Sequence, residues 1–172
     1  MFPTRARRRA NRRRPPCPHD EIGPSPLPLA GDCRTAVREA SAGARLVIAV
    51  IDDDALVRKA LVRLLQGSGF AACGFASGQE FLESWLRNPP DCLILDLQMP
   101  AMSGVEVLRT LIRAGARLPT IIITAHDEPA AREECLRQGV VAYLRKPVDD
   151  RVLLGALKTI ATRSAPHEDP QI

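Results

Sequence analysis

Asp52, Asp53 and Asp54 stand in an unbroken row directly after an apolar run, and Asp96 closes the run Leu93-Ile94-Leu95. Thr124 closes Ile121-Ile122-Ile123, and Lys146 follows a fourth such stretch and precedes Pro147. Each polar group is thus carried to the edge of something buried, where a charge costs desolvation unless it is paired, capping or employed. If the four stretches are neighbours in space, their polar ends converge. Carboxylates about 4 Å apart repel by ~4 kcal/mol at an effective dielectric near 20. Lys146 offsets part of that, and a hard divalent ion suits the remaining oxygens. Magnesium typically takes one or two protein carboxylates together with waters and phosphate oxygens. Singly, these residues say less. Asp54 alone reads as a helix N-cap, Asp96 alone reads equally as a strand-ending turn acid, and Thr124 and Lys146 are ordinary. Their joint placement at four strand ends carries the reading.

The elements that must position them can be read from the alternation of short apolar runs with amphipathic segments that begins at Leu46, the pattern of βα units and a parallel sheet. Strands are predicted at 46–51, 70–75, 92–96, 120–124 and 140–144. After the first, Leu56, Val57, Ala60, Leu61, Leu64 and Leu65 recur at helical spacing until Gly67. Further helices are predicted at 79–87, ended by Asn88-Pro89-Pro90, at 105–114, and from Pro129, which suits a first-turn position. The last begins near Asp149 with Val152, Leu153, Ala156, Leu157 and Ile160 as its buried stripe. The expected architecture is an α/β fold: a flavodoxin-like, doubly wound, five-stranded parallel sheet of order 2-1-3-4-5 with five helices. In such sheets ligands bind beyond the carboxyl ends of the strands where the order reverses, here between the first and third. The residues above all gather at that rim.

Composition bounds the rest. A chain of 172 residues with 45% hydrophobic content can close one core, which at 3% aromatics must come from Leu, Val, Ile and Ala. The net charge of +4 is unevenly spread, since residues 1–44 hold nine Arg against four acids while 45–172 hold fifteen Lys/Arg against sixteen acids. Residues 1–44, rich in Arg and Pro, are expected to be disordered, with a brief helix at 35–42, a boundary near Arg45, a folded domain over 45–163 and a fraying tail over 164–172. Five scattered cysteines form no C-x-x-C pair or zinc spacing, which fits a reducing cytosol. No apolar run approaches a bilayer span, and the Arg-rich start lacks the apolar core of a secretory signal.

In order and spacing, IDDD (51–54), LILDLQMPAMSG (93–104), IIITAHDE (121–128) and YLRKP (143–147) resemble the response regulator receiver domain of two-component signalling, of the nitrogen-fixation type, from about Leu46 to Ile160. The resemblance implies that Asp96 is the phosphoacceptor, attacking a phosphohistidine. Counting back from Val57-Arg58 puts the acidic pair at Asp52 and Asp53, so that Asp53 would ligate Mg²⁺ directly, Asp52 through water, and the Gln98 backbone carbonyl would complete the site with Asp96. Thr124 and Lys146 would bind the phosphate. Thr124 and Tyr143 would form the switch, Tyr143 moving as the loop after the fourth strand is drawn inward. Ala125 is small, as phosphate access requires, and Gln98 and His126 occupy positions that often tune hydrolysis; His126 also reads simply as a solvated loop histidine. A cis bond is implied before Pro147.

The function so implied is a cytoplasmic single-domain response regulator, a phosphoacceptor rather than an enzyme, charged by a histidine kinase or histidine phosphotransfer protein. It would signal through an unidentified downstream protein, and a phosphorylation-dependent homodimer is compatible with that. Regulators of this type normally continue into a helix-turn-helix domain, so the alternative is the receiver part of a transcription regulator lacking its DNA-binding domain. No sequence-specific DNA binding is expected. The Arg block at 5–14 could contact phosphates only without sequence preference. An aspartyl phosphatase of the haloacid dehalogenase type needs Asp-x-Asp, whereas here Asp96-Leu97-Gln98 stands, and no Gly-rich phosphate loop supports a nucleotidase.

Overall fold

The computed structural model describes residues 46–164. The expectations for 1–44, the boundary at Arg45, the helix at 35–42 and the tail beyond Ser164 lie outside those residues. The elements run β1 (Val47–Ile51), α1 (Ala55–Gly67), β2 (Ala71–Phe75), α2 (Gly78–Trp85), β3 (Cys92–Asp96), α3 (Gly104–Arg113), β4 (Thr120–Thr124), α4 (Pro129–Arg137), β5 (Ala142–Arg145) and α5 (Asp150–Ser164). They build one parallel sheet of order β2-β1-β3-β4-β5. The expected topology is therefore the observed one.

Strands covered on both faces should be apolar throughout, and β1, β3 and β4 are buried at every position. Their alternate residues split into two core layers. Ala49, Ile51, Leu93, Leu95 and Ile122 pack with Phe81 of α2, Val107, Leu108 and Leu111 of α3 and Cys135 of α4. On the other face, Ile48, Val50, Ile94, Ile121 and Ile123 pack with Leu61 and Leu65 of α1 and Leu153, Leu157 and Ile160 of α5. The few aromatics still serve the core, where Phe75 and Phe81 meet edge to face with centroids 5.4 Å apart. Among the described residues no helix is long and apolar enough to cross a membrane.

Helix starts follow local chemistry. The Asp54 carboxylate accepts from Leu56 N at 2.8 Å and Val57 N at 3.3 Å, so the capping role read for it holds. Ser103 and Glu106 form a capping box at α3, Pro129 opens α4, and Asp149 accepts from Arg151 N at 2.8 Å at the start of α5.

Three expectations need correction. The fifth strand begins at Ala142 rather than Val140 and runs on to Arg145. Gly139, at φ 81°, turns the chain, Val140 packs against the core from the loop, and Val141 makes only an entering bond to Thr120 O at 2.8 Å. In α5, Val152 is 53% exposed. The stripe there is Leu153, Leu157 and Ile160, because helical spacing gives an apolar arc but not the rotation that decides which flank meets water. The helix expected at 79–87 is α2, Gly78–Trp85, which stops short of Arg87.

Candidate functional site

The carboxyl ends of β1, β3 and β4, together with the residue after β5, meet at one rim. Asp52 lies one residue past β1, Asp96 and Thr124 are the last residues of β3 and β4, and Lys146 follows β5. Parallel pairing of β1 with β3 and of β3 with β4 aligns those ends. One ligand oxygen from each of Asp52, Asp53 and Asp96 lies within 4.8 Å of the others.

Lys146 is the cation the rim requires. Its Nζ donates to Asp52 Oδ2 at 2.8 Å and to Asp96 Oδ2 at 2.6 Å. The other oxygens are held by the backbone: Asp54 N donates to Asp52 Oδ1 at 2.9 Å, and Gln98 N to Asp96 Oδ1 at 3.1 Å. Asp52 and Asp96 are only 2% and 5% exposed, whereas Asp53 is exposed. Among the described residues no hydrogen bond or ion pair reaches the Asp53 carboxylate, which leaves it available to a ligand.

The titration behaviour fits a site short of positive charge. Burial pushes the Asp52 carboxyl above its ordinary value; Lys146 pulls it back without prevailing, and the Asp96 charge adds to the rise. For Lys146, burial pulls downward, but the hydrogen bonds and charges of Asp52 and Asp96 prevail and hold it above its ordinary value. One ammonium shared between two buried carboxylates leaves Asp52 incompletely compensated. Three carboxylates form an all-oxygen donor set suited to a hard divalent cation. The residues therefore fit magnesium.

The β3–α3 loop gives the site its floor. A Cβ on Gly104 would collide with the Asp96 carbonyl oxygen and come within 2.9 Å of Leu97 Cα. Glycine is thus required where α3 begins against the turn that presents Asp96. Ala101 in that loop takes φ 67°, and the Lys146–Pro147 bond is cis, as the resemblance implied.

The remaining sequence-derived residues lie at the rim or behind it. Thr124 is fully buried, and its hydroxyl donates to His126 O at 3.0 Å while accepting from His126 N at 3.3 Å, so it is turned onto its own loop. Ala125 is exposed. His126 Nδ1 lies 2.6 Å from Gln98 Oε1, which joins the loops after β3 and β4; sequence reasoning chose both residues and missed that they touch. Tyr143 packs against the core, with Arg132 5.6 Å over its ring and a buried hydroxyl that has no hydrogen-bond partner among the described residues. Burial first, then the Asp127 charge, hold that phenol above its ordinary range. The direct tie of Lys146 to Asp52 was not foreseen either, since no spacing rule links residues 94 positions apart.

A family model for the response regulator receiver domain matches residues 48–158. The transcriptional regulatory protein FixJ of Azorhizobium caulinodans is 35% identical over 120 residues, covering 70% of this chain and 57% of that one. The response regulator protein TodT of Pseudomonas putida is 36% identical over 136 residues, covering 79% and 59%. A solved response regulator receiver protein from Burkholderia phymatum superposes with a TM-score of 0.61 at 44% identity, covering 71% of this chain and 99% of that one. The chain thus spans a little over half the length of the curated relatives it matches.

Proposed function

The chain belongs to the response regulator receiver family, and from that premise we propose that it accepts a phosphoryl group on Asp96 from the phosphohistidine of a histidine kinase or phosphotransfer protein. The observation that carries this reading is Asp96 itself, buried at the rim with Lys146 2.6 Å away and two further aspartates beside it. A carboxylate oxygen of Asp96 attacks phosphorus. The new P–O bond forms as the P–N bond breaks, and the electron pair leaves with the imidazole. Phosphoryl transfer demands positioning and neutralisation of the equatorial oxygens more than covalent chemistry by the protein. Lys146, already within reach of Asp96, donates to one such oxygen.

Asp52, Asp53 and Asp96 would hold Mg²⁺, with the Gln98 carbonyl completing the set. When bound, the ion neutralises the phosphoryl oxygens. Asp52 is the most constrained of the three, tied by Lys146 and by Asp54 N, which suits a role through water, and Asp53 suits direct ligation.

The acyl phosphate carries roughly −1.5 to −2 of charge where the Asp96 carboxylate carried a single negative charge. Thr124 then exchanges its bond to His126 O for one to a phosphate oxygen, drawing the loop inward. Tyr143, whose hydroxyl has no partner among the described residues to hold it, turns into the space released. The surface of α4, β5 and α5 is the bistable element so biased. It signals by protein contact, the phosphorylated form offering a self-association surface. The protein is a phosphoacceptor that assists its own phosphorylation and hydrolysis, with Ala125, Gln98 and His126 setting access and lifetime and the cytoplasm as its compartment.

The relatives favour a second reading in one respect: FixJ is named a transcriptional regulatory protein. The receiver described would then be the switch of a transcription regulator. Either way Asp96→Asn abolishes labelling by acetyl phosphate, read by intact mass, while the circular dichroism spectrum is kept. Undiminished phosphate uptake in that variant rejects the assignment.

A further inference from the structure

We propose that Arg58 of α1 is a positioning residue for the metal-binding loop, acting on the backbone of Asp52 and Asp53 rather than on their charges, and that Gly74 of β2 is the seat that lets it do so. Its Nη1 donates to Asp52 O at 2.5 Å and faces Asp53 O at 3.4 Å. These are consecutive carbonyls of the segment that must turn two adjacent aspartates toward one ion. The Asp52 carboxylate is held independently by Asp54 N and Lys146. For Asp53, whose carboxylate has no partner among the described residues, the Arg58 nitrogen is the side-chain donor that addresses its peptide.

The seat is as specific as the bond. A Cβ on Gly74 would stand 3.0 Å from Arg58 Cγ and 3.1 Å from Cδ, so the arginine stem crosses the space where any other residue would carry a side chain. Gly74 pairs with Val50 in β1, which places that opening beside the strand that delivers Asp52.

Two effects of Arg58 on magnesium oppose each other. Its positive charge near an acidic rim repels a divalent cation, while its grip on the loop pre-forms the site. No ion pair joins Arg58 to a carboxylate among the described residues, and the guanidinium is committed to carbonyls, so positioning outweighs repulsion. Residues that orient metal ligands in this way typically change affinity about 10–100-fold when removed.

The inference rests on the reading of Asp52, Asp53 and Asp96 as a magnesium site. It is tested by titrating MgCl₂ into the full chain and into Arg58→Met, followed by backbone amide NMR shifts. Methionine keeps much of the aliphatic stem and removes both donors and charge. The expected result is affinity weaker by about tenfold in Arg58→Met, with a melting temperature in EDTA close to that of the parent. The slowed labelling by acetyl phosphate should recover as magnesium is raised. Gly74→Ala, which keeps the arginine but displaces its stem, should weaken magnesium in the same direction by a smaller factor. Unchanged or tighter binding in Arg58→Met overturns the positioning role, tighter binding marking charge as the only effect. A parent chain that binds no magnesium overturns the metal site and this inference with it.

Discussion

Replacing Lys146 by Met tests the electrostatic logic of the site most directly. The substitution removes the ammonium that lies 2.8 Å from Asp52 Oδ2 and 2.6 Å from Asp96 Oδ2 and leaves both carboxylates buried. Ligand oxygens of Asp52 and Asp96 lie within 4.8 Å of each other, and two unit charges at that limit repel by ~3.5 kcal/mol at an effective dielectric of 20. Breaking a buried pair from one side typically costs 3–5 kcal/mol. The lower end applies here because the Lys146 side chain keeps 20% exposure. The expected loss is about 3 kcal/mol at pH 8, measured by urea unfolding in EDTA with an unchanged m-value.

The pH dependence carries the proof. Asp52 already titrates above its ordinary value in the folded chain, so the folded state takes up a proton before the unfolded chain does. Stability then rises as pH falls through the folded value. Without Lys146 that upward shift grows, and a proton held between the two carboxylates relieves most of their repulsion. At pH 5 the variant should therefore lie within about 1–2 kcal/mol of the parent. Magnesium at tenfold its Kd should return about 1.4 kcal/mol. A loss under 1 kcal/mol, or one equal at pH 5 and pH 8, refutes the reasoning.

Other outcomes follow from single contacts. Tyr143→Phe removes a buried hydroxyl that has no partner among the described residues and keeps the ring under Arg132, so unfolding should show no loss and a gain of up to about 1 kcal/mol. A clear loss would reveal a partner for that hydroxyl. Gly104→Ala forces the Asp96 carbonyl or the start of α3 to move and should destabilise by about 2–3 kcal/mol while slowing acetyl phosphate labelling; parent-like values in both would argue against a close-packed floor. Ser103→Ala dissolves the capping box of α3, with about 1 kcal/mol lost on unfolding and labelling by acetyl phosphate preserved.

The strands that present the site were the most legible elements. CLILD and TIIIT are runs buried on both faces, and a continuous apolar run flanked by breakers marks its own ends; both came out at 92–96 and 120–124 as read. Strand β5 was displaced because Val140 and Val141 have strand-like side chains, yet the turn at Gly139 delays pairing until Ala142. Val152 was assigned to a stripe whose rotation the periodicity does not contain.

For the site, the identities of Asp52, Asp53, Asp96, Thr124 and Lys146 were legible because a parallel sheet sends every strand end to one rim, so a polar residue after an apolar run already has an address. The partnerships were not legible. That Lys146 divides itself between Asp52 and Asp96, that the Thr124 hydroxyl turns back onto His126, that Gln98 and His126 touch, and that Arg58 reaches past Gly74 to two carbonyls are matters of a few ångströms. Residue type and spacing along the chain determine which groups arrive at the rim. Which oxygen meets which nitrogen is decided only when the strand ends and the loops after them pack at close density, because hydrogen bonds discriminate over distances far shorter than any periodicity can resolve.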